Sequence, residues 1–156
     1  DDAGDQKRFL KWSAPLMPEN RAKSARLIRA AECGLTDTDY PSISIGNLSS
    51  HRTVSQKLGR DLSVLRWRTN IWLDGLAPWE EFDWIGRIIE IGEVQFEICE
   101  RVQRCLATTA NPETGRRDAD TLSILQTWDH QDFCVYARVL NTGTIHLNDS
   151  AKAPNP

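Results

Sequence analysis

The pair with the clearest chemical potential in this 156-residue chain is Arg104-Cys105. A thiol beside a guanidinium is biased toward thiolate, and a thiolate is both a nucleophile and a ligand for soft metals. A free Cys is equally at home as a small buried hydrophobe, so both readings stand at this point. A second candidate lies upstream at Arg68 and Asn70. Two residues apart in an extended strand, they share one face, and a charged fork beside an amide suits a phosphate or the edge of a heterocycle. The alternative is an exposed polar strand face. A third is Gly46-Asn47, which opens a predicted helix. Free amides at a helix N-terminus bind anions, although Asn there is also an ordinary cap. Asp37 and Asp39 could ligate a cation but read as a solvated loop. His51, His130 and His146 are scattered without a His-x-x-x-His pair, so no His-based metal site or triad has local support; His130 reads as part of a solvated loop.

These residues need positioning elements. Residues 5–13 predict a short helix with Phe9, Leu10 and Trp12 packing inward, ended by Pro15 and Pro18. Residues 25–31 read as a strand, with a helix turn as the alternative, and 33–41 as loop. Ser42 to Ile45 is a strand, followed by a helix with Leu48, Val54 and Leu58 on its apolar face and Gly59 as its stop. Leu62 to Leu73 reads as one long strand, with Leu65, Trp67, Thr69 and Ile71 opposite Arg66, Arg68, Asn70 and Trp72. Trp79, Phe82 and Trp84 suit the plug of a barrel end. Gly92-Glu93 joins two hairpin strands, the second facing the core through Val94, Phe96 and Ile98. After Arg104-Cys105, Leu106 to Thr109 reads as a further strand, ending in the turn Asn111-Pro112-Glu113-Thr114-Gly115. Asp120 or Thr121 caps a helix with Leu122, Leu125 and Trp128 as its stripe. Phe133 to Leu140 is a strand, and Asn141 to Thr144 turns the chain into Ile145 to Leu147.

Many short strands with inserted helices predict a mostly β protein with peripheral helices: a closed or nearly closed, mixed but mainly antiparallel β-barrel. Residues 1–40 read as an N-terminal segment that suits the tail of a preceding region. Residues 41–149 read as the domain and 150–156 as a disordered tail. Hydrophobic residues at 40% and a length of 156 are enough for one real core. The net charge of -3 argues against nonspecific nucleic-acid binding, which needs a basic face. No apolar run approaches the ~20 residues of a membrane span, and no signal peptide is visible. The four Cys lack Cys-x-x-Cys spacing, which disfavours structural zinc; the thiols read as reduced and the protein as cytoplasmic. The opening Asp1-Asp2, without Met, reads as part of something longer.

The run Arg104-Cys105-Leu106-Ala107-Thr108-Thr109-Ala110-Asn111-Pro112-Glu113-Thr114-Gly115 resembles the signature of the MOSC family, the domain of molybdenum cofactor sulfurase C-termini. Arg68-Thr69-Asn70-Ile71, Asp83-Trp84-Ile85-Gly86 and Phe133-Cys134-Val135-Tyr136 agree in order and spacing. The resemblance implies the same barrel. It also implies a role for Cys105 as a metal-binding or sulfur-carrying residue, with Arg68, Asn70, Arg104 and Tyr136 as contacts to the molybdenum cofactor. Asn47 is the further anion-site candidate. Related proteins include reductases of N-hydroxylated substrates, which makes an electron-donor protein an expected partner. A sulfur carrier would instead hold a persulfide on Cys105 and need a sulfur-donor protein. A noncatalytic binding module is the third expectation. Larger relatives add an N-terminal barrel region with basic contacts, so this chain alone is expected to hold the cofactor poorly. Val102 stands where many relatives carry another Cys, which leaves no local dithiol in that loop.

Overall fold

The computed structural model describes residues 2–29 and 36–152. Two compact units divide the chain, residues 1–35 and 36–156. Cys33, the expected loop at 33–35 and the last residues of the tail lie outside the described residues.

In the first unit, α1 (Ala3–Ser13) starts at Asp2, whose carboxylate accepts from the Gly4 amide. The expected helix is present, but its aromatics do not turn inward. Phe9 and Trp12 are exposed and pack on each other with ring centroids 5.7 Å apart, and Ser13 is the helix's buried residue. Residues 25–29 join no ladder, so the strand expected from residue 25 is absent over them.

The second unit holds β1 (Ile43–Asn47), α2 (Leu48–Leu58), β2 (Ile71–Leu73), β3 (Ile88–Ile91), β4 (Val94–Gln103), α3 (Thr121–Gln126), β5 (Asp132–Val139) and β6 (Ala151–Lys152). Among the described residues the strand order is β2-β1-β5-β4-β3-β6. The β1–β2 pair, bridged by α2, is parallel, and the other pairings are antiparallel. The sheet forms a nearly closed, mixed six-stranded barrel with peripheral helices. β6 corrects one expectation. Ala151 and Lys152, read as disordered tail, pair with Ile91 and Glu90 and extend the sheet beside β3.

Local chemistry explains the well-read elements. Asn47 caps α2 by accepting from the Ser49 amide, and Gly59 ends it at φ 74. Gly92 at φ 56 opens the tight β3–β4 turn. Ile45, Leu73, Phe82, Trp84, Phe96, Ile98, Val135 and Ala137 fill the barrel interior. A second cluster joins Val54 of α2 and Leu125 of α3 to Trp67, Phe133 and Cys134. β5 serves both because Cys134 takes φ 72 beside a register shift at Arg101/Gln103. This kink lets the consecutive residues Phe133 and Cys134 both join the second cluster, before Val135 and Ala137 turn to the first.

Two predicted strands are 3-10 turns instead. Over residues 62–73 the chain makes the turn Val64–Trp67, passes through Arg68 at φ 51, and enters β2 only at Ile71. The Ser63 hydroxyl accepts from the Leu65 amide and starts the turn, which buries Arg66 and Trp67 while leaving Leu65 68% exposed. Leu106–Thr109 is the second. The Thr108 and Thr109 hydroxyls donate to the carbonyls of Cys105 and Leu106, local bonds that compete with a ladder. Residues 145–147 also form no strand. His130 is not a solvated loop residue: its ring packs edge-on against Trp79 and Phe82. Among the described residues no helix is long and apolar enough to cross a membrane.

Candidate functional site

Cys105 follows β4 and precedes the 3-10 turn Leu106–Thr109. Its backbone is held on both sides. The Arg104 amide donates to Gln131 O at 2.9 Å, and Cys105 O accepts from the Thr108 amide at 3.2 Å and the Thr108 hydroxyl at 3.1 Å. Thr108 is fixed in turn by the buried Thr121 hydroxyl, 2.7 Å away at the start of α3. The residue between these anchors is exposed.

Arg104 does not lie idle beside that thiol. Its Nε donates to Phe133 O at 2.8 Å and its Nη1 to Trp67 O at 2.9 Å. The guanidinium carbon stands 5.9 Å from the Trp67 ring centroid and 6.0 Å from that of Phe133, two rings that stack on each other. Nη2 is buried and has no hydrogen-bond partner among the described residues. The thiol that feels this guanidinium is Cys134. Arg104 and the Thr69 hydroxyl favour its thiolate, but burial dominates and pushes the Cys134 thiol up to about 11.

Arg104 therefore links the Arg-Cys connection to the turn that carries Arg68. Arg68 itself is exposed and has no side-chain partner among the described residues. Asn70 does not share a strand face with it, because both precede β2. The Asn70 Oδ1 accepts from the Ser44 amide and the Ser44 hydroxyl, both at 2.9 Å. That fixes the amide plane and leaves Nδ2 unclaimed by the described residues. Tyr136, on β5, is half-buried. Burial raises its phenol, the Asp37 and Glu100 carboxylates add to the rise, and Arg104 opposes it. Asn47 is elsewhere in its bonding. It is fully buried, its Nδ2 donates to Ala77 O at 2.7 Å and to Glu81 Oε2 at 2.8 Å, and its Oδ1 caps α2.

Residues with no sequence signal complete the surroundings. Arg66, 4% exposed, donates to Thr109 O and Asp118. Glu81 is fully buried and accepts from Asn47 and Ser50, and burial raises its carboxyl above the usual range. His51 accepts from the Trp67 indole at 2.9 Å. Among the described residues no group of three or more His, Cys, Asp and Glu could hold a metal ion.

The fold and sequence have known counterparts. A MOSC domain model matches residues 37–152. A molybdenum cofactor sulfurase from Drosophila grimshawi is 37% identical over 79 residues, 51% of this chain and 10% of that protein. A mitochondrial amidoxime-reducing component 1 from Danio rerio is 30% identical over 115 residues, 68% of this chain and 33% of that protein. The chain thus spans a third or less of the length of these relatives. Among solved structures, YiiM from Geobacillus stearothermophilus shares the fold with a TM-score of 0.55 at 19% identity, over 72% of this chain and 54% of that one. With residues 37–152 matched on a barrel of this order, the chain belongs to the MOSC domain family.

Proposed function

We propose that this chain is the cofactor-holding domain of a molybdenum-cofactor protein, with Cys105 as thiolate ligand to the metal. The observation that carries the reading is an exposed thiol on a backbone tied down on both sides. The donor set fits such a group. Among the described residues Arg68 is exposed and without a side-chain partner, Asn70 offers Nδ2 from a fixed amide, and Arg104 holds a buried Nη2 without an acceptor. These are the cationic and amide donors that a pterin edge and a phosphate need. Tyr136, whose phenol feels the Arg104 charge, is a further contact in this reading. Asn47 leaves the set, because its amide is spent on Ala77, Glu81 and the helix cap.

When bound, the cofactor supplies redox chemistry at the metal, and the chain supplies grip and orientation. The substrate class is N-hydroxylated compounds, by kinship with the amidoxime-reducing component, and an electron-donor protein is the implied partner. The test is molybdenum content of the natural full-length protein made in a cofactor-producing host. Cys105→Ser and Arg68→Ala should each lower the metal content of folded protein, and Cys105→Ser should abolish reduction of an N-hydroxylated substrate. Full molybdenum in both variants, or none in the parent, rejects the reading.

The match to molybdenum cofactor sulfurases favours a second reading, Cys105 as a persulfide carrier. A Cys105 peptide heavier by about 32 Da and restored by cyanide treatment would favour it.

A further inference from the structure

We propose that Arg66 and Asp118 are positioning residues for Cys105, forming a clasp, buried at its Arg66 end, that fixes the thiol's loop against the turn carrying Arg68. The two segments hold each other by reciprocal arginines. Arg104, next to Cys105, donates to the carbonyl of Trp67, next to Arg68. Arg66, from that same turn, donates back through Nη1 to Thr109 O at 3.1 Å, the last residue of the turn that Cys105 leads. Arg66 Nη2 reaches Asp118 Oδ1 at 2.5 Å.

Asp118 gathers the far end of the loop. Its Oδ2 accepts from Arg60 at 3.0 Å and from Asn111 Nδ2 at 3.1 Å. Its amide donates to Thr109 O, so one carbonyl joins Arg66 and Asp118. Asn111 closes the 111–115 turn, its Oδ1 accepting from the Glu113 and Thr114 amides. The Arg66 side chain is 2% exposed and that of Asp118 27%. Only the Arg66 end of the pair is shielded, Asp118 being an exposed residue, so removing Asp118 leaves a buried guanidinium short of a partner, whereas removing Arg66 leaves a carboxylate that water can reach. The clasp spans 52 residues of sequence, so no local turn propensity can replace it. Arg68 lies two residues from one end and Cys105 four residues from Thr109, so the clasp limits how far thiol and guanidinium can drift apart.

The inference rests on Cys105 being the reacting thiol, but its test needs no cofactor. Iodoacetamide labelling of Cys105 is followed by peptide mapping in Asp118→Ala, Asp118→Asn and Arg66→Ala, with circular dichroism and amide exchange as controls. In Asp118→Ala and Arg66→Ala the Cys105 rate should rise about fivefold and amides of residues 106–118 should exchange at least about tenfold faster, while Cys134 stays protected. Asp118→Asn keeps an acceptor for Arg66 and should lie between. Millimolar guanidinium should return Arg66→Ala toward the parent rate, and urea at equal concentration should not. Unchanged Cys105 labelling and loop exchange in folded variants overturns the proposal. So does labelling of Cys134 in step with Cys105, since that reports opening of the whole domain. A positive result with no molybdenum in the full-length protein leaves the clasp standing and removes the cofactor reading alone.

Discussion

Thr69 Oγ1 and Cys134 Sγ lie 2.9 Å apart in the closed layer beneath Arg104, and this contact separates the two thiols nearest the candidate site. Cys134 is fully buried, and its thiol stands at about 11. At pH 7 that leaves roughly one thiolate in ten thousand, besides the steric block. Cys105 is exposed, while Cys99 is half-buried with its thiol donating to Glu97 O. Iodoacetamide at pH 7 should therefore label Cys105 ahead of Cys99, and Cys134 only after unfolding. Modification of Cys99 or Cys134 in folded protein before Cys105 would contradict the assignment.

Arg68 and Asn70 should separate in their effects. Asn70 ties β1 to the approach of β2 through Ser44, so Asn70→Ala leaves Ser44 donors short of an acceptor and should cost about 1–2 kcal/mol in urea unfolding. Arg68 is exposed and unpaired among the described residues, so Arg68→Ala should stay within about 0.5 kcal/mol while lowering molybdenum content of the full-length protein. Equal stability loss in both variants would show that Arg68 also holds the fold.

That contrast shows what the sequence could and could not reveal. Helix α2 and the β3–β4 hairpin are legible because their signals are local: Asn47 and Gly59 bracket one, and Gly92 turns the other. The Arg-Cys connection is legible as a motif, but Leu106–Thr109 is not legible as a turn, since hydroxyl-to-carbonyl bonds override its strand-like composition. The region 62–73 misleads for a different reason. Burial of Arg66 depends on Asp118, and the place of Asn70 depends on Ser44, 26 residues away. Alternation cannot encode partners that remote. Cys134 shows the same limit: its positive φ reflects the register shift in the neighbouring β4, not its own type.

Gly46 is a packing requirement of the same layer. A Cβ there would sit 2.8 Å from Cys134 Sγ and 3.0 Å from Thr69 Cγ2 and Trp72 Cζ3. Three neighbours on separate elements cannot all retreat, so Gly46→Ala should cost about 1–3 kcal/mol. It should also raise the labelling rate of Cys134, because the thiol is the nearest atom displaced. A variant as stable as the parent, with Cys134 still protected, would show that the layer yields freely.

Acid should weaken this domain through His51. Its Nδ1 accepts from the Trp67 indole at 2.9 Å, and Trp67 in turn stacks on Phe133 and offers its carbonyl to Arg104. An imidazolium has no lone pair for that bond. Burial lowers the His51 value below its ordinary 6.5, Arg52 adds to the fall, and the Leu62 backbone and Asp61 oppose it. The folded state thus prefers neutral imidazole, and the unfolded chain takes up a proton first as pH falls. The stabilisation is complete above the ordinary value and shrinks as pH drops below it, down to the lowered folded value. Burial lowers His130 as well, so two groups contribute in the same direction. Each proton can add at most about 1.4 kcal/mol per pH unit to the slope. The buried Glu81 carboxyl, raised by burial, works the other way, so the His51 part is read by comparison: in urea unfolding the parent should lose more stability, or gain less, than His51→Gln between pH 8 and pH 5.5. Gln at position 51 can still accept from the indole but cannot titrate, so His51→Gln should reduce the slope and His51→Gln with His130→Gln should flatten it further. A His51→Gln variant with the full parental slope would remove His51 as the source, and a variant that loses more stability in acid than the parent would reverse the sign of the argument.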